Sequence, residues 1–401
     1  MEDKLEISEV YRAADVLRDV ARHPRLIGPT HLNPESEVYL KPENLQHTGA
    51  FKLRGAYYKI SQLTPEERAK GVIACSAGNH AQGVALAATR NGIRSLICLP
   101  AGAPISKIEA TKRLGAEVCL VPGVYDDAYR RALELQQECG YTLVHPFDDP
   151  LVIAGQGTIG LEIIEEMPDV DAVIVPVGGG GLISGVAFTI KSLKPNVKVY
   201  GVQAEGAPSM VESMHRRERI RLDSVSTIAD GIAVKEPGVN TYDLCSKYVD
   251  EIVTVSDDEV AAAILTLIEQ QKLVAEGAGA VSVAAAMFNK VPIEGKKVVC
   301  IVSGGNIDVT SLNRVITRGL VKNGRNSTVT IVLSDKPGQL SKVCSIIGDM
   351  GANILSVEHR RNTSNTEISG CKIHVEMESL NHDHIAQVKD ALRTAGFRVE
   401  D

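Results

Sequence analysis

The chain is 401 residues long, 44% hydrophobic and 23% charged, with a formal net charge of −7. That length exceeds what one hydrophobic core ordinarily serves and predicts two or three domains, while the acidic balance argues against a nucleic-acid partner, which calls for a basic surface. No apolar run reaches membrane-spanning length, and the mixed-charge start Met1-Glu2-Asp3-Lys4 lacks the apolar segment of a secretion signal, so the expected location is the cytoplasm with no membrane partner.

In chain order, apolar periodicity predicts a helix over 7–20, then a run through Pro24, Pro29 and Pro34 to a short strand at Val38-Tyr39-Leu40. Next comes Thr48-Gly49-Ala50-Phe51-Lys52-Leu53-Arg54-Gly55-Ala56. Leu53, Ala56, Tyr57, Ile60 and Leu63 keep helical spacing, so Lys52 falls in the first turn of a helix, and Thr64 with Glu67 forms the capping box of the following one. The exposed N–H groups of a helix start favour anions. A lysine held there between Phe51 and Leu53 loses preference for its charged form, both through that field and through desolvation. An uncharged lysine is a nucleophile able to form a Schiff base with an aldehyde. Lys41 is the rival candidate, but it precedes Pro42 and is biased toward extended backbone with no helix start beside it.

From residue 71, apolar and β-branched strands alternate with amphipathic helices: strand 71–75, turn Ser76-Ala77-Gly78-Asn79, helix 80–91, strand 95–99, helix 105–114, strand 117–121, helix 126–139 and strand 142–144. This alternation means βαβ units and a parallel sheet covered on both faces, here a small lobe of about 49–148 inserted in a larger one. A second α/β run over about 150–320 has strands at 172–177, 197–203, 251–255 and 297–302, with helices such as 183–191 and 257–273 between them.

Ligands of open parallel sheets collect where strand C-termini meet helix N-termini. One such junction is Gly178-Gly179-Gly180-Gly181, where backbone N–H groups lie uncovered at the positive end of a helix dipole and form a phosphate cradle. Four consecutive glycines cost entropy that a merely tight turn would avoid. No Gly-Lys-Ser/Thr follows, so a nucleotide P-loop is unsupported. Ser303-Gly304-Gly305-Asn306 and Ser76-Ala77-Gly78-Asn79-His80 are two further strand-end rims, and three polar loops with one poised lysine predict a cleft between lobes. Gly155-Gln156-Gly157-Thr158-Ile159-Gly160 matches G-x-G-x-x-G but lacks the acidic residue that dinucleotide binding needs, and reads as a helix-start turn. The eight cysteines show no C-x-x-C pair and read as buried thiols, and the histidines show no metal-ligand spacing apart from His382 and His384, which lie in a polar stretch and read as exposed, so no zinc is assigned.

After the polar stretch 322–327 the pattern becomes strand 329–333, helix 339–350, strand 353–359, strand 368–377, helix 384–395 and strand 397–399. That is a βαββαβ ferredoxin-like unit, placed at 323–401 behind a complete α/β body at 1–322. A small domain in that position is more naturally a regulator than a second catalyst.

Together, Gly49-Ala50-Phe51-Lys52-Leu53-Arg54-Gly55-Ala56, Ser76-Ala77-Gly78-Asn79-His80, the glycine quartet and Ser303-Gly304-Gly305-Asn306 resemble the threonine dehydratases of the fold type II (tryptophan-synthase-β-like) pyridoxal-phosphate enzymes. The likeness covers about residues 5–320. Residues 328–401, with Asp335-Lys336-Pro337-Gly338-Gln339-Leu340 and Gly351-Ala352-Asn353-Ile354, look like an ACT domain, an amino-acid-sensing module. The resemblance implies a two-lobed α/β catalytic domain with pyridoxal 5′-phosphate as cofactor, followed by an α+β regulatory domain. It makes Lys52 the lysine that carries the cofactor and removes the substrate's Cα proton. Gly178, Gly179, Gly180, Gly181 and Leu182 would hold the cofactor phosphate, Phe51 and Asn79 the ring and its 3′-oxygen, and Ser303 the pyridine nitrogen. Backbone N–H groups of Ser76, Ala77, Gly78, Asn79 and His80 would receive the substrate carboxylate, and Glu205 aligns with a cation site of some relatives.

The implied reaction is elimination of water from L-threonine followed by hydrolysis, which takes the water back and releases ammonia, giving 2-oxobutanoate, and likewise pyruvate from L-serine, in amino-acid metabolism such as isoleucine biosynthesis. An amino-acid effector near Asp335, Pro337, Gly338, Gln339 and Leu340, with Asn353 of a neighbouring module, and a homodimer or homotetramer are implied as well. Two departures bear on the alternatives. Ala50 replaces the family's usual serine, which keeps open an amino-acid-binding regulator with impaired catalysis. Ala77 stands where the racemases of this group carry a serine on the far face of the cofactor, which favours elimination over racemisation of serine. A threonine synthase would want a further basic loop for a phosphorylated substrate, and none is found.

Overall fold

The computed structural model describes residues 5–361 and 370–400. The chain divides into two compact units, Met1–Asp308 and Val309–Asp401. The helix Val309–Lys322, which the sequence reading assigns to the first body, buries Val315 and Gly319, contacts the strand Asn326–Ser334 and goes with the second unit.

In the first unit the larger sheet runs in the order Ile27–Thr30, Glu37–Lys41, Lys297–Ile301, Ala172–Pro176, Lys198–Ala204, Glu251–Val255. Every pairing in it is parallel except the antiparallel Ile27–Thr30 edge. The smaller sheet, Glu117–Val121, Ser95–Pro100, Val72–Cys75, Thr142–Leu143, is parallel throughout. The central strands Val72–Cys75 and Ala172–Pro176 are buried at every position, as a strand covered by helices on both faces must be. Each sheet has its own core, one around Val173, Val175, Ile183 and Val199, the other around Leu53, Val72, Val84 and Ile97.

The helix Pro150–Glu166 is missing from the sequence reading, and the G-x-G-x-x-G stretch lies in its interior rather than at a helix start. Its glycines serve helix packing. A Cβ at Gly155 would sit 2.6 Å from the Cα of Gly55 on the helix Lys52–Ser61, and one at Gly185 would sit 2.7 Å from the amide of Gly157. The backbone that carries Lys52 is thus seated directly on its neighbour. Pro150 at the helix start and the Asp149 side chain, which accepts from Leu151 N–H, supply the local stop and start that the glycines disguise.

The second unit is a four-stranded antiparallel sheet, Asn353–Arg360, Gly370–Glu378, Asn326–Ser334, Arg398–Glu400, with the helices Gln339–Asp349 and His382–Thr394. Its core packs Val343, Ile347, Val388 and Leu392 against Ile331, Ile373 and Val375, giving the expected α+β ferredoxin-like arrangement.

Candidate active site

Phe51, Lys52, Ser76, Ala77, Gly78, Asn79, His80, Gly178, Gly179, Gly180, Gly181, Leu182 and Ser303 all line one cleft of about 730 Å³ in the first unit. Residues far apart in sequence meet because two loops are zipped together. Ala50 forms an antiparallel bridge with Gly304, Phe51 N–H donates to Ser303 O at 3.1 Å, and Gly305 N–H donates to Gly49 O at 2.9 Å. Lys52 therefore begins its helix beside the Ser303 rim. Lys41 lies elsewhere, fully buried with its Nζ 2.7 Å from Pro24 O and 2.6 Å from a Glu162 carboxylate oxygen.

Lys52 Nζ donates to Pro146 O at 2.7 Å and stands 5.2 Å from the centre of the Phe51 ring. Burial pushes its amine down to about 8, against the opposing pull of Glu276, so a sizeable neutral fraction exists near neutral pH. His80 is buried and pushed down to about 3 by burial and by Lys52. Its ring is neutral, so Nε2 carries the proton and donates to Val144 O at 2.7 Å. It ties the helix Asn79–Arg90 to the cleft floor and is no acid.

The rim at 76–80 is only partly available to an anion. Ser76 N–H donates to Cys98 O and Gly78 N–H to Ser76 Oγ, so these two amides are already engaged. The amides of Asn79 and His80, in the first turn of a 12-residue helix, the Ala77 amide just before it and the Ser76 hydroxyl remain available to an anion.

Sequence reasoning missed Glu276. It lines the same cleft, is 5% exposed, and its Oε1 accepts from Asn79 Nδ2 at 2.5 Å. Asn306 Nδ2 donates to both Thr48 O and Asn79 Oδ1, at 2.7 and 2.8 Å. This chain fixes the Asn79 amide with its NH₂ toward Glu276 and the cleft. A carboxylate set among small residues, Ala275-Glu276-Gly277-Ala278-Gly279, just ahead of a helix whose only polar side chain is Ser282 is the signal available in the sequence.

Burial, then repulsion from Asp230, pushes the Glu276 carboxyl from 4.5 up to about 7. A carboxyl raised on folding adds stability that is full below pH 4.5 and is lost as pH rises through about 7. Its ionised form polarises the Asn79 amide that it accepts from. We expect kcat/KM to fall below about pH 7 as Glu276 is protonated, and Glu276→Gln to flatten that acid limb. An unchanged limb in the variant would remove Glu276 from the titration.

A family profile described as "Pyridoxal-phosphate dependent enzyme" matches residues 24–304, and one described as "ACT domain" matches residues 327–397. The chain belongs to the pyridoxal-phosphate dependent enzymes. It is 50% identical over 397 residues, 98% of this chain and 99% of the relative, to a protein named L-threonine ammonia-lyase from Thermotoga maritima. It is 44% identical over 393 residues, 98% of each chain, to one of the same name from Geobacter sulfurreducens. Among solved structures it is similar to the processed threonine deaminase isoform 2 of Solanum lycopersicum, with TM-score 0.73, 41% identity, and 78% and 89% of the two chains covered. It is also similar to maize serine racemase, with TM-score 0.74, 33% identity, and 79% and 98% covered.

The residues present fit the cofactor of this pyridoxal-phosphate dependent enzyme. The helix Gly181–Leu193 starts at the quartet, and the amides of Gly178, Gly179 and Gly180 donate to no backbone acceptor among the described residues. Gly180 has φ +97°, and a Cβ at Gly179 would sit 2.4 Å from the Phe147 ring, so neither position tolerates a side chain. The result is a bare, donor-lined hollow facing the cleft that holds Lys52. Glu205, by contrast, is exposed and belongs to no group of three metal-ligating side chains among the described residues, so a cation there rests on resemblance alone.

In the second unit Gly338, with φ +85°, caps the helix Gln339–Asp349, placing Asp335, Pro337 and Gly338 in the loop that leads into it and Gln339 and Leu340 in its first turn. Asn353 is not with them. It pairs with Glu378 at the opposite end of the sheet, roughly 26 Å away along a nine-residue strand. The two can share an effector only across two copies of the unit.

Proposed function

We propose that this protein is an L-threonine ammonia-lyase, converting L-threonine to 2-oxobutanoate and ammonia and L-serine to pyruvate, under control of an amino acid bound by its ACT domain. The observation that carries the reading is a lysine amine pushed down to about 8 in the same cleft as an unfilled row of glycine amides. Lys52 would join the cofactor as a Schiff base, the amides of Gly178 to Gly181 would hold its phosphate, Asn79 its 3′-oxygen and Ser303 its ring nitrogen, with Phe51 and Leu182 packed beside it. Bound pyridoxal phosphate supplies the electron sink for the pair left at Cα.

The chain's own residues do the rest. The Ala77, Asn79 and His80 amides orient the substrate carboxylate. Lys52 Nζ would accept the Cα proton, and the proton for the departing hydroxyl would come either from it or from the cofactor phosphate. Ser303 Oγ, which donates to Ala278 O at 3.2 Å here, would turn its hydroxyl to donate to an unprotonated ring nitrogen, a neutral partner that leaves the ring a weaker sink, suited to elimination. The ion pairs Lys107–Asp230, 2.9 Å, and Arg221–Asp126, 3.1 Å, join residues from the two sides of the cleft lining and limit water entry. Ala77 offers no acid on the rim at 76–80, which disfavours racemisation.

Two parts of the proposal concern assembly: a homodimer or homotetramer, and a small apolar effector such as isoleucine, valine or leucine that binds one quaternary state better than another. Among the described residues no helix is long and apolar enough to cross a membrane. The purified holoenzyme should release 2-oxobutanoate and ammonia in equal amounts from L-threonine. Formation of D-serine from L-serine with no keto acid would replace this reading by the racemase.

A further inference from the structure

Three strands of the second unit end at the same edge of its sheet, and each brings one metal-ligating side chain there. Asp335 follows the strand Asn326–Ser334, His359 lies near the end of Asn353–Arg360, and Cys371 lies near the start of Gly370–Glu378. The registers explain the meeting. Leu333 pairs with Cys371 and His359 pairs with Ile373, so Cys371, in the central one of the three strands, sits between the other two ligands. A carboxylate oxygen, an imidazole nitrogen and the thiol sulfur lie within 4.8 Å of one another. Cys371 is 1% exposed and forms the floor, while Asp335 and His359 are exposed and form the open side.

The geometry points to a site for a divalent transition ion of the Zn²⁺ type, held by Asp335, His359 and Cys371 with water in the fourth place. Nitrogen, oxygen and sulfur donors in one set select such an ion over Mg²⁺ or Ca²⁺, which want oxygen alone. Ligand separations around a tetrahedral ion with bonds of about 2.0–2.3 Å are somewhat shorter than 4.8 Å, a difference that side-chain rotation at the exposed aspartate and histidine supplies. Asp335 also pairs with Arg361, Nε to Oδ2 at 3.2 Å, and a carboxylate has a second oxygen to offer. On binding, the Cys371 thiol gives its proton to solvent and the sulfur bonds the metal as thiolate. The ion would pin the loop that opens the helix Gln339–Asp349 to the sheet.

The test uses the full-length holoenzyme, freed of metal with a chelator and titrated with Zn²⁺ by calorimetry, then with Co²⁺ by absorption in the red, clear of the cofactor. We expect one Zn²⁺ per chain and the intense ligand-field bands of a tetrahedral cobalt thiolate. Both should be lost in Cys371→Ala and in His359→Gln and kept in Cys139→Ser, which changes an exposed cysteine elsewhere. His359 is exposed, so its variant should keep the far-ultraviolet circular dichroism and threonine turnover of the parent, separating lost binding from lost folding. Zn²⁺ uptake unchanged in both variants, or none by the parent, overturns the site.

Discussion

Lys52→Ala should lower threonine turnover by at least about 10⁴-fold, the upper range of what a positioned base contributes, and lose covalent attachment of the cofactor as well. The side chain starts a helix, half-buried in the cleft, and its truncation leaves the helix Lys52–Ser61 in place because Leu53, Ala56 and Ile60 provide the packing. The variant should therefore melt near the parent and still bind pyridoxal phosphate on the glycine quartet, but with the absorbance of the free aldehyde. Lys52→Arg should behave the same way, since a guanidinium keeps the charge yet cannot form the Schiff base or give up its proton. Turnover within about tenfold of the parent, in either variant, would show that another group does the work.

Arg54→Ala should cost stability rather than chemistry, by about 3–5 kcal/mol. Arg54 is fully buried two residues beyond Lys52, and its guanidinium reaches Glu43 at 2.7 and 2.9 Å, Glu162 at 2.5 and 3.0 Å, and Thr158 at 3.1 Å. Lys41 closes the network on Glu162. Burial alone would raise the Glu162 carboxyl, but Arg54 and Lys41 hold it below its usual value. Removing the guanidinium leaves two buried carboxylates with one lysine, paired to Glu162 alone, and the melting temperature should drop by roughly 5–8 °C for a unit of this size. Arg54→Lys should recover only part of the loss, because an ammonium cannot make the two-pronged contact to Glu43. A change of less than about 1 kcal/mol would mean that water or rearrangement satisfies the carboxylates.

Local chemistry made most of the site readable. Lys52 stands out because a cation in a helix's first turn is out of place, the quartet because four glycines between a strand and a helix leave amides uncovered, and the capping box at Thr64 and Glu67 forms as the sequence predicts. The six-strand order, with Lys297–Ile301 between Glu37–Lys41 and Ala172–Pro176, was beyond reach of any local pattern, since it joins the far ends of the first unit. So was the helix Pro150–Glu166, whose glycines imitate a turn until Gly55 and Gly185 are seen lying against them.

Residue type and spacing, read along one strand of chain, decided which groups could act: an amine, an amide cradle, a serine partner, a regulatory βαββαβ tail. Only the packed structure decided what those groups are worth. The values of about 8 for Lys52 and about 7 for Glu276 come from burial and from neighbours distant in sequence. The engagement of the Ser76 amide by Cys98 O, the separation of Asn353 from the Asp335 loop, and the meeting of Asp335, His359 and Cys371 come from strand register. Desolvation and register are properties of the whole assembly of strands and helices, so they have no local signature to read.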